Sequence, residues 1–228
     1  MRNTIFWLSI CLVSIVAARP HSASADEAGD KATVWEINQL DSIGGHKLTI
    51  LGSPRVIDTP QGKAIEFDGK ADGIFIDANP VAGLKQFTAE VVFKPYADGP
   101  TEQRFLHFQE RGNTEDRLLF ETRLTGDGHW FLDTFIKSGE GNHTLKAEKS
   151  LHKIGPWYHA AVTMDGKTMR HYVNGVEELS AETNFKPQGE GQASVGVRLN
   201  KVFWYKGAIR QVRITPKVLT AKEFLKAE

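Results

Sequence analysis

The chain has 228 residues, 40% of them hydrophobic and 25% charged, with acidic and basic side chains balancing to a formal net charge of 0. This is a globular balance with enough apolar residues for one sizeable core. A neutral chain points away from nucleic acid and anionic membrane surfaces as partners.

The first 25 residues differ from the rest. Arg2 supplies a positive start, Thr4 to Ala18 form an apolar run, and a polar stretch ends in Ala23-Ser24-Ala25. This is the three-part pattern of a secretory signal peptide cleaved after Ala25. The apolar run falls short of the about 20 residues that a bilayer span requires. No membrane span is therefore expected after cleavage. Cleavage removes Cys11, the only cysteine, so no disulfide is expected to hold the fold. Export without cysteines suits a bacterial periplasmic or secreted protein. Residues 26–32 form a polar leader, and residues 33–228 are read as one domain because no linker interrupts them.

Along that domain, short β-branched and aromatic runs recur between Gly, Asp, Asn and Pro. AIEFDG and GIFID flank the turn DGKADG, and FTAEVVFKP alternates until Pro95 stops it. RFLHFQE, RLLFETRL and HWFLDTFIKSG follow at hairpin spacing, then YHAAVTM, TMRHYVNG, ASVGVRL and KGAIRQVRI. Leu219 to Glu228 is the one good helical stretch, with Thr220 as N-cap and Glu223 in capping-box position. Many short strands without helical crossovers predict an all-β, two-sheet antiparallel jelly-roll sandwich with a short C-terminal helix.

The stretch WYHAAVTMDGKTMRHYVNGV, from Trp157 to Val176, resembles the hallmark hairpin of laminin G-like domains in the concanavalin A-like lectin/glucanase superfamily. AIEFDGKADGIFID, FTAEVVFKP, SVGVRL and FWYKGAIRQVRITPKVLTAKEF resemble the family's other segments in the family's order, so the likeness covers nearly all of residues 34–225. The motifs have physical roles. Asp165-Gly166 and Asn174-Gly175 suit tight turns that need positive φ. The resemblance implies a two-sheet jelly roll whose concave sheet forms a groove for a poly- or oligosaccharide. The same superfamily holds lectins, adhesion modules, glycosidases and lyases, so fold alone assigns no function.

Strand parity names a candidate surface. Three successive strands put His107 and Gln109, Glu121 and Arg123, and Asp133 and Phe135 on their non-core face. Polar groups beside flat rings suit sugar hydroxyls and the apolar sugar face. A wet sheet face laced by ion pairs of Arg123 with Glu121 or Asp133 explains the same pattern. In the hairpin, the resemblance makes His159 part of the scaffold, whereas His171 stands where the family has an aliphatic residue. His171 therefore joins the candidate ligand-binding residues.

The expectation is an exported carbohydrate-binding or adhesion-type module without catalysis, with another protein as a further partner class. The alternative is a polysaccharide lyase or glycoside hydrolase using His107, Glu121, Arg123 and His171 in the same groove. The clustered acids E-x-D-x-x-E of the family's glycosidases are absent. FLHFQE, RLLFETR and WYKGAIR are faint echoes of the alginate-lyase branch. Family members often bind Ca²⁺, for which Asp41, Asp68 and Asp72 are the weak candidates, with turn capping as their other reading.

Overall fold

A computed structural model describes residues 31–228 together with Met1. The expected signal peptide and most of the polar leader lie outside the described residues. Among the described residues there are seventeen strands, here numbered in chain order, and no helix. One sheet has eight strands. Its order is β15 (Val176–Glu182), β14 (Thr168–Val173), β13 (Tyr158–Met164), β7 (Phe87–Pro95), β17 (Lys206–Thr215), β5 (Gly62–Asp68) and β4 (Arg55–Thr59), with β1 (Thr33–Glu36) also on β17. The other has nine. Its order is β11 (Gly141–Lys146), β10 (His129–Ser138), β9 (Arg117–Leu124), β8 (Glu102–Glu110), β16 (Gly191–Val195), β6 (Gly73–Ile76), β3 (His46–Leu51) and β2 (Ser42–Ile43), with β12 (His152–Lys153) on β10.

Every pairing is antiparallel, as a chain without helical crossovers requires. β8, β9 and β10 form successive hairpins. β13, β14 and β15 form the pair of hairpins read from the sequence, and Asn174 (φ 48°) and Gly175 (φ 82°) make the second turn. β5 and β6, however, sit in different sheets, so DGKADG carries the chain across the sandwich instead of closing a hairpin.

The core lies between the sheets. Phe93 of β7 stacks on Phe105 of β8 at 4.4 Å between centroids and meets the edge of Trp130 of β10 at 5.3 Å. Such ring pairs add specificity to the burial of large apolar area. Strict alternation along RFLHFQE puts Phe105 on the non-core face with His107 and Gln109, and the structure corrects this. A register shift between Arg104 and Leu106 sends the Phe105 ring into the core and sends Arg104 to the outer face beside Glu121.

Gly196, just after β16, has φ 82°, and a Cβ there would overlap the Phe67 ring. Gly196→Ala therefore combines left-handed strain with overpacking. A loss of about 2 kcal/mol is expected in a urea titration.

The expected C-terminal helix is absent. Thr220 and Glu223 make the capping-box contact, with the Thr220 amide 2.8 Å from the Glu223 carboxylate, but only one turn forms. Tertiary partners take the backbone groups that a helix would pair internally. The Leu225 amide donates to Glu90 at 2.8 Å, Arg213 donates to the Glu223 carbonyl at 2.7 Å, and Arg210 to that of Ala227 at 3.0 Å. Leu219 and Phe224 pack on Ala161 and Tyr172, so the segment is a strap across the outer face of the eight-stranded sheet.

Candidate functional site

Strand register sets four rows across the outer face of the nine-stranded sheet. Arg123 stands between Phe131 and Glu102, and Glu121 between Asp133 and Arg104. Leu119 stands between Phe135 and His107, with Ser194 and Phe75 beyond. Arg117 stands between Lys137 and Gln109, with Gln192 beyond. The structure thus brings His107, Gln109, Glu121, Arg123, Asp133 and Phe135 to one face.

These six do not form one open binding surface. Arg123 contacts Asp133 at 2.8 Å and Glu121 at 3.2 Å, and also pairs with Glu102. Arg104 holds the other Glu121 oxygen at 2.9 Å. Glu121 and Asp133 are 2% and 1% exposed. Burial pushes both carboxyls up despite the guanidiniums beside them. Burial works against the charge of Arg123, but Asp133, Glu121 and Glu102 hold its pKa above the ordinary value. This part of the face is the cross-strand ion-pair lacing that the sequence left open. Phe135 is also engaged, since the Arg117 guanidinium lies 4.6 Å from its ring centroid.

His107 is fully buried beneath the β16–β17 connection. The Leu199 amide donates to its Nδ1 at 3.1 Å, which places the proton of the neutral ring on Nε2. Burial first, then the charges of Arg198, Arg117 and Arg104, hold its pKa well below the ordinary value. The connection above it is strained. Lys201 (φ 61°) and Phe203 (φ 62°) are left-handed, which is costly for a bulky residue. Phe203 is held there by the Arg104 guanidinium 3.7 Å from its ring centroid and by the Arg104 amide, which donates to its carbonyl at 2.9 Å.

The accessible part of the face is a cleft of about 320 Å³ beside this connection. Phe75, Gln109 and Gln192 line it from the sheet, Thr114 and Glu115 from the β8–β9 turn, and Arg198 to Asn200 from the connection. The sequence reading found only Gln109 of these. Arg104 was hidden by the bulge, and Phe75, Gln192 and Arg198 come together only through sheet order.

His171 is not brought to this face. It is fully buried between the sheets, with Nδ1 2.9 Å from the Thr134 hydroxyl of β10. A bulge in the β14–β15 pairing inserts Glu178, which reaches His152 Nε2 at 2.6 Å and lies 3.7 Å from His171 Nε2. Burial pushes the His171 pKa down to about 4. His159 is 1% exposed and 3.0 Å from Glu90.

The aspartates are placed as turn residues. Asp68 accepts the amides of Lys70, Ala71 and Asp72 at 2.8–3.0 Å. Asp72 accepts those of Ser53 at 2.7 Å and Asp68 at 3.1 Å. Asp41 is exposed before β2. Among the described residues no group of three or more His, Cys, Asp or Glu side chains is arranged to hold a metal ion.

A laminin G family model, of the concanavalin A-like lectin/glucanases superfamily, matches residues 68–224. No curated protein matches the sequence. Among solved structures, domain 4 of AbnA, a GH43 extracellular arabinanase from Geobacillus stearothermophilus in complex with arabinotriose, is similar at TM-score 0.60 and 20% identity, over 85% of this chain and 96% of that one. The CBM40 of the Ruminococcus gnavus IT-sialidase, bound to α2,3-sialyllactose, is similar at TM-score 0.52 and 18% identity, over 76% of this chain and 95% of that one. The binding domain of botulinum neurotoxin DC, in complex with SialylT, is similar at TM-score 0.60 and 12% identity, over 85% of this chain and 50% of that one. These likenesses show a shared jelly-roll fold.

Proposed function

Because the chain belongs to the concanavalin A-like lectin/glucanase superfamily, we propose that it is an exported carbohydrate-binding module without catalysis, taking a saccharide on the outer face of its nine-stranded sheet. The observation that carries this reading is the cleft between the β8–β9 turn and the β16–β17 connection. There the half-buried ring of Phe75 lies among the side-chain amides of Gln109, Gln192 and Asn200 and the guanidinium of Arg198. A flat ring can stack on a pyranose, and amides and a guanidinium can bridge neighbouring hydroxyls. The left-handed Lys201 and Phe203 add support, because strain of this kind gathers at ligand-holding loops. Similar folds solved with arabinotriose and with sialyllactose lend the reading further weight. Export rests on the signal-peptide pattern of residues 1–25.

The polysaccharide-cleaving alternative draws less support from the geometry. Glu121 and Asp133 are buried under Arg104 and Arg123, and His171 lies on the opposite side of the sheet from His107. General acid–base work needs such groups within reach of one bound substrate.

A glycan array with the purified protein tests the proposal. The wild type is expected to bind at least one oligosaccharide class. Gln109→Ala is expected to weaken that binding by up to about tenfold, the upper range for one neutral hydrogen bond. A wild type that binds no glycan at concentrations up to the solubility limit sinks the reading.

A further inference from the structure

We propose that the glycan taken by this cleft is anionic, with its carboxylate or sulfate seated on Arg198. The inference rests on the saccharide-binding reading of the same cleft and names its ligand class. It follows from how the charges of this face are distributed.

Five cationic side chains, Arg104, Arg117, Arg123, Arg198 and Lys137, share β8 to β10 and the cleft with four carboxylates, Glu102, Glu115, Glu121 and Asp133, while at the flanks Lys146 pairs with Glu148 and Arg111 with Asp77. Glu102, Glu121 and Asp133 are held by Arg123, and Glu121 also by Arg104. Glu115, which also lines the cleft, is held by Lys137 at 2.7 Å and is 3.9 Å from Arg117. Arg117 spends its Nη1 on the carbonyls of Glu115 at 2.8 Å and Thr114 at 3.3 Å. Among the described residues, Arg198 has neither a carboxylate partner nor a side-chain hydrogen bond. The surplus positive charge of the face therefore falls on the one guanidinium that lines the cleft.

The neighbours of Arg198 reinforce this. Burial, and then the charges of Arg117 and Arg104, lower its pKa and outweigh the opposing charges of Glu121 and Glu115. His107 below it is neutral, with its buried Nε2–H lacking an acceptor among the described residues. Three guanidiniums lie around a neutral ring, Arg104 already pairs with Glu121 and Glu115 is held by Lys137, so the uncompensated charge at the cleft is that of Arg198, which favours an anion over a cation. The fork of a guanidinium matches a carboxylate or a sulfate oxygen pair in a way that a single hydroxyl does not. The Gln109 and Gln192 amides and the Phe75 ring would then read the uncharged part of the sugar.

The test is an array of uronate-bearing, sialylated, sulfated and neutral oligosaccharides, followed by titration of the best ligand in three forms. These are the intact ligand, the carboxyl-reduced ligand and the desulfated ligand, so the two anion sources are told apart. The expected result is that the hits carry anions, that removing the anion abolishes binding, and that added salt weakens it. Arg198→Ala is expected to cost roughly tenfold or more in affinity, the scale of one charge-assisted hydrogen bond, with an unchanged melting temperature. Binding confined to neutral glycans, or affinity unmoved by Arg198→Ala, overturns the anionic assignment and leaves the saccharide-binding reading standing. Binding to no glycan overturns both.

Discussion

Glu90→Ala is expected to lower the folding free energy by about 3–5 kcal/mol, the range for removing one member of a buried charge network. Glu90 is fully buried in the central strand β7, on the face turned away from the sandwich core. One carboxylate oxygen accepts from the Leu225 amide at 2.8 Å and faces His159 Nε2 at 3.0 Å, and the other accepts from Arg213 at 2.5 Å. Alanine leaves all three partners without their acceptor, beneath a strap that then loses its anchor. The urea midpoint is expected to fall by that free energy divided by the m-value, and protease cleavage after Thr215 is expected to accelerate. Equal midpoints for the two proteins overturn this account.

The same network sets an acid limit on stability. Burial alone would raise the Glu90 pKa, but His159, Arg213 and the Leu225 amide hold it below the ordinary carboxylate value. A carboxyl depressed in the folded state contributes stability that is present above its unfolded pKa and is lost as pH falls through its folded pKa. Glu90→Gln is therefore expected to differ most from the wild type near neutral pH and to converge with it in acid.

The fold was legible because its signals are local. Asn174-Gly175 closes a hairpin wherever it stands between strands, and the alternation of β9 and β10 fixes which side chains face the core. The failures share one physical reason, which is that distant partners overrule a local pattern. Leu219 to Glu228 has helical propensity and an N-cap, yet Glu90, Arg210 and Arg213 capture its backbone. Parity fails at β8 because one bulge residue moves Phe105 inward and Arg104 outward. The cleft was hardly visible because its residues come from β6, β8, β16 and two connections, which only the sheet order makes neighbours. The polar face itself was legible. Which of its charges pair with one another, and which is left over for a ligand, depends on cross-strand distances that no spacing in the chain records.

His171→Leu is expected to flatten the dependence of stability on pH between 6.5 and about 4. In the wild type the unfolded chain takes up a proton at His171 near pH 6.5, whereas burial delays uptake in the folded chain until about pH 4. Within that window the unfolded state binds more protons, so stability falls as the pH falls. The full loss by pH 4 is about 3 kcal/mol. The nearer Glu178 oxygen, Oε2, is 3.7 Å from the ring, beyond hydrogen-bond reach, while His152 holds Oε1 at 2.6 Å, and burial sets the shift. Above pH 6.5 the ring is neutral in both states and adds no slope. At pH 7 the variant is expected to lose only about 1 kcal/mol, because the Thr134 hydroxyl is left without its partner. Urea titrations at several pH values check this, and parallel curves for the two proteins between pH 7 and pH 4 would overturn it. The pattern expects a hydrocarbon at this position because it lies between the sheets. A histidine is tolerated there because Thr134 reaches it across the sandwich, and a ring kept neutral by burial has a structural role rather than one at the outer face.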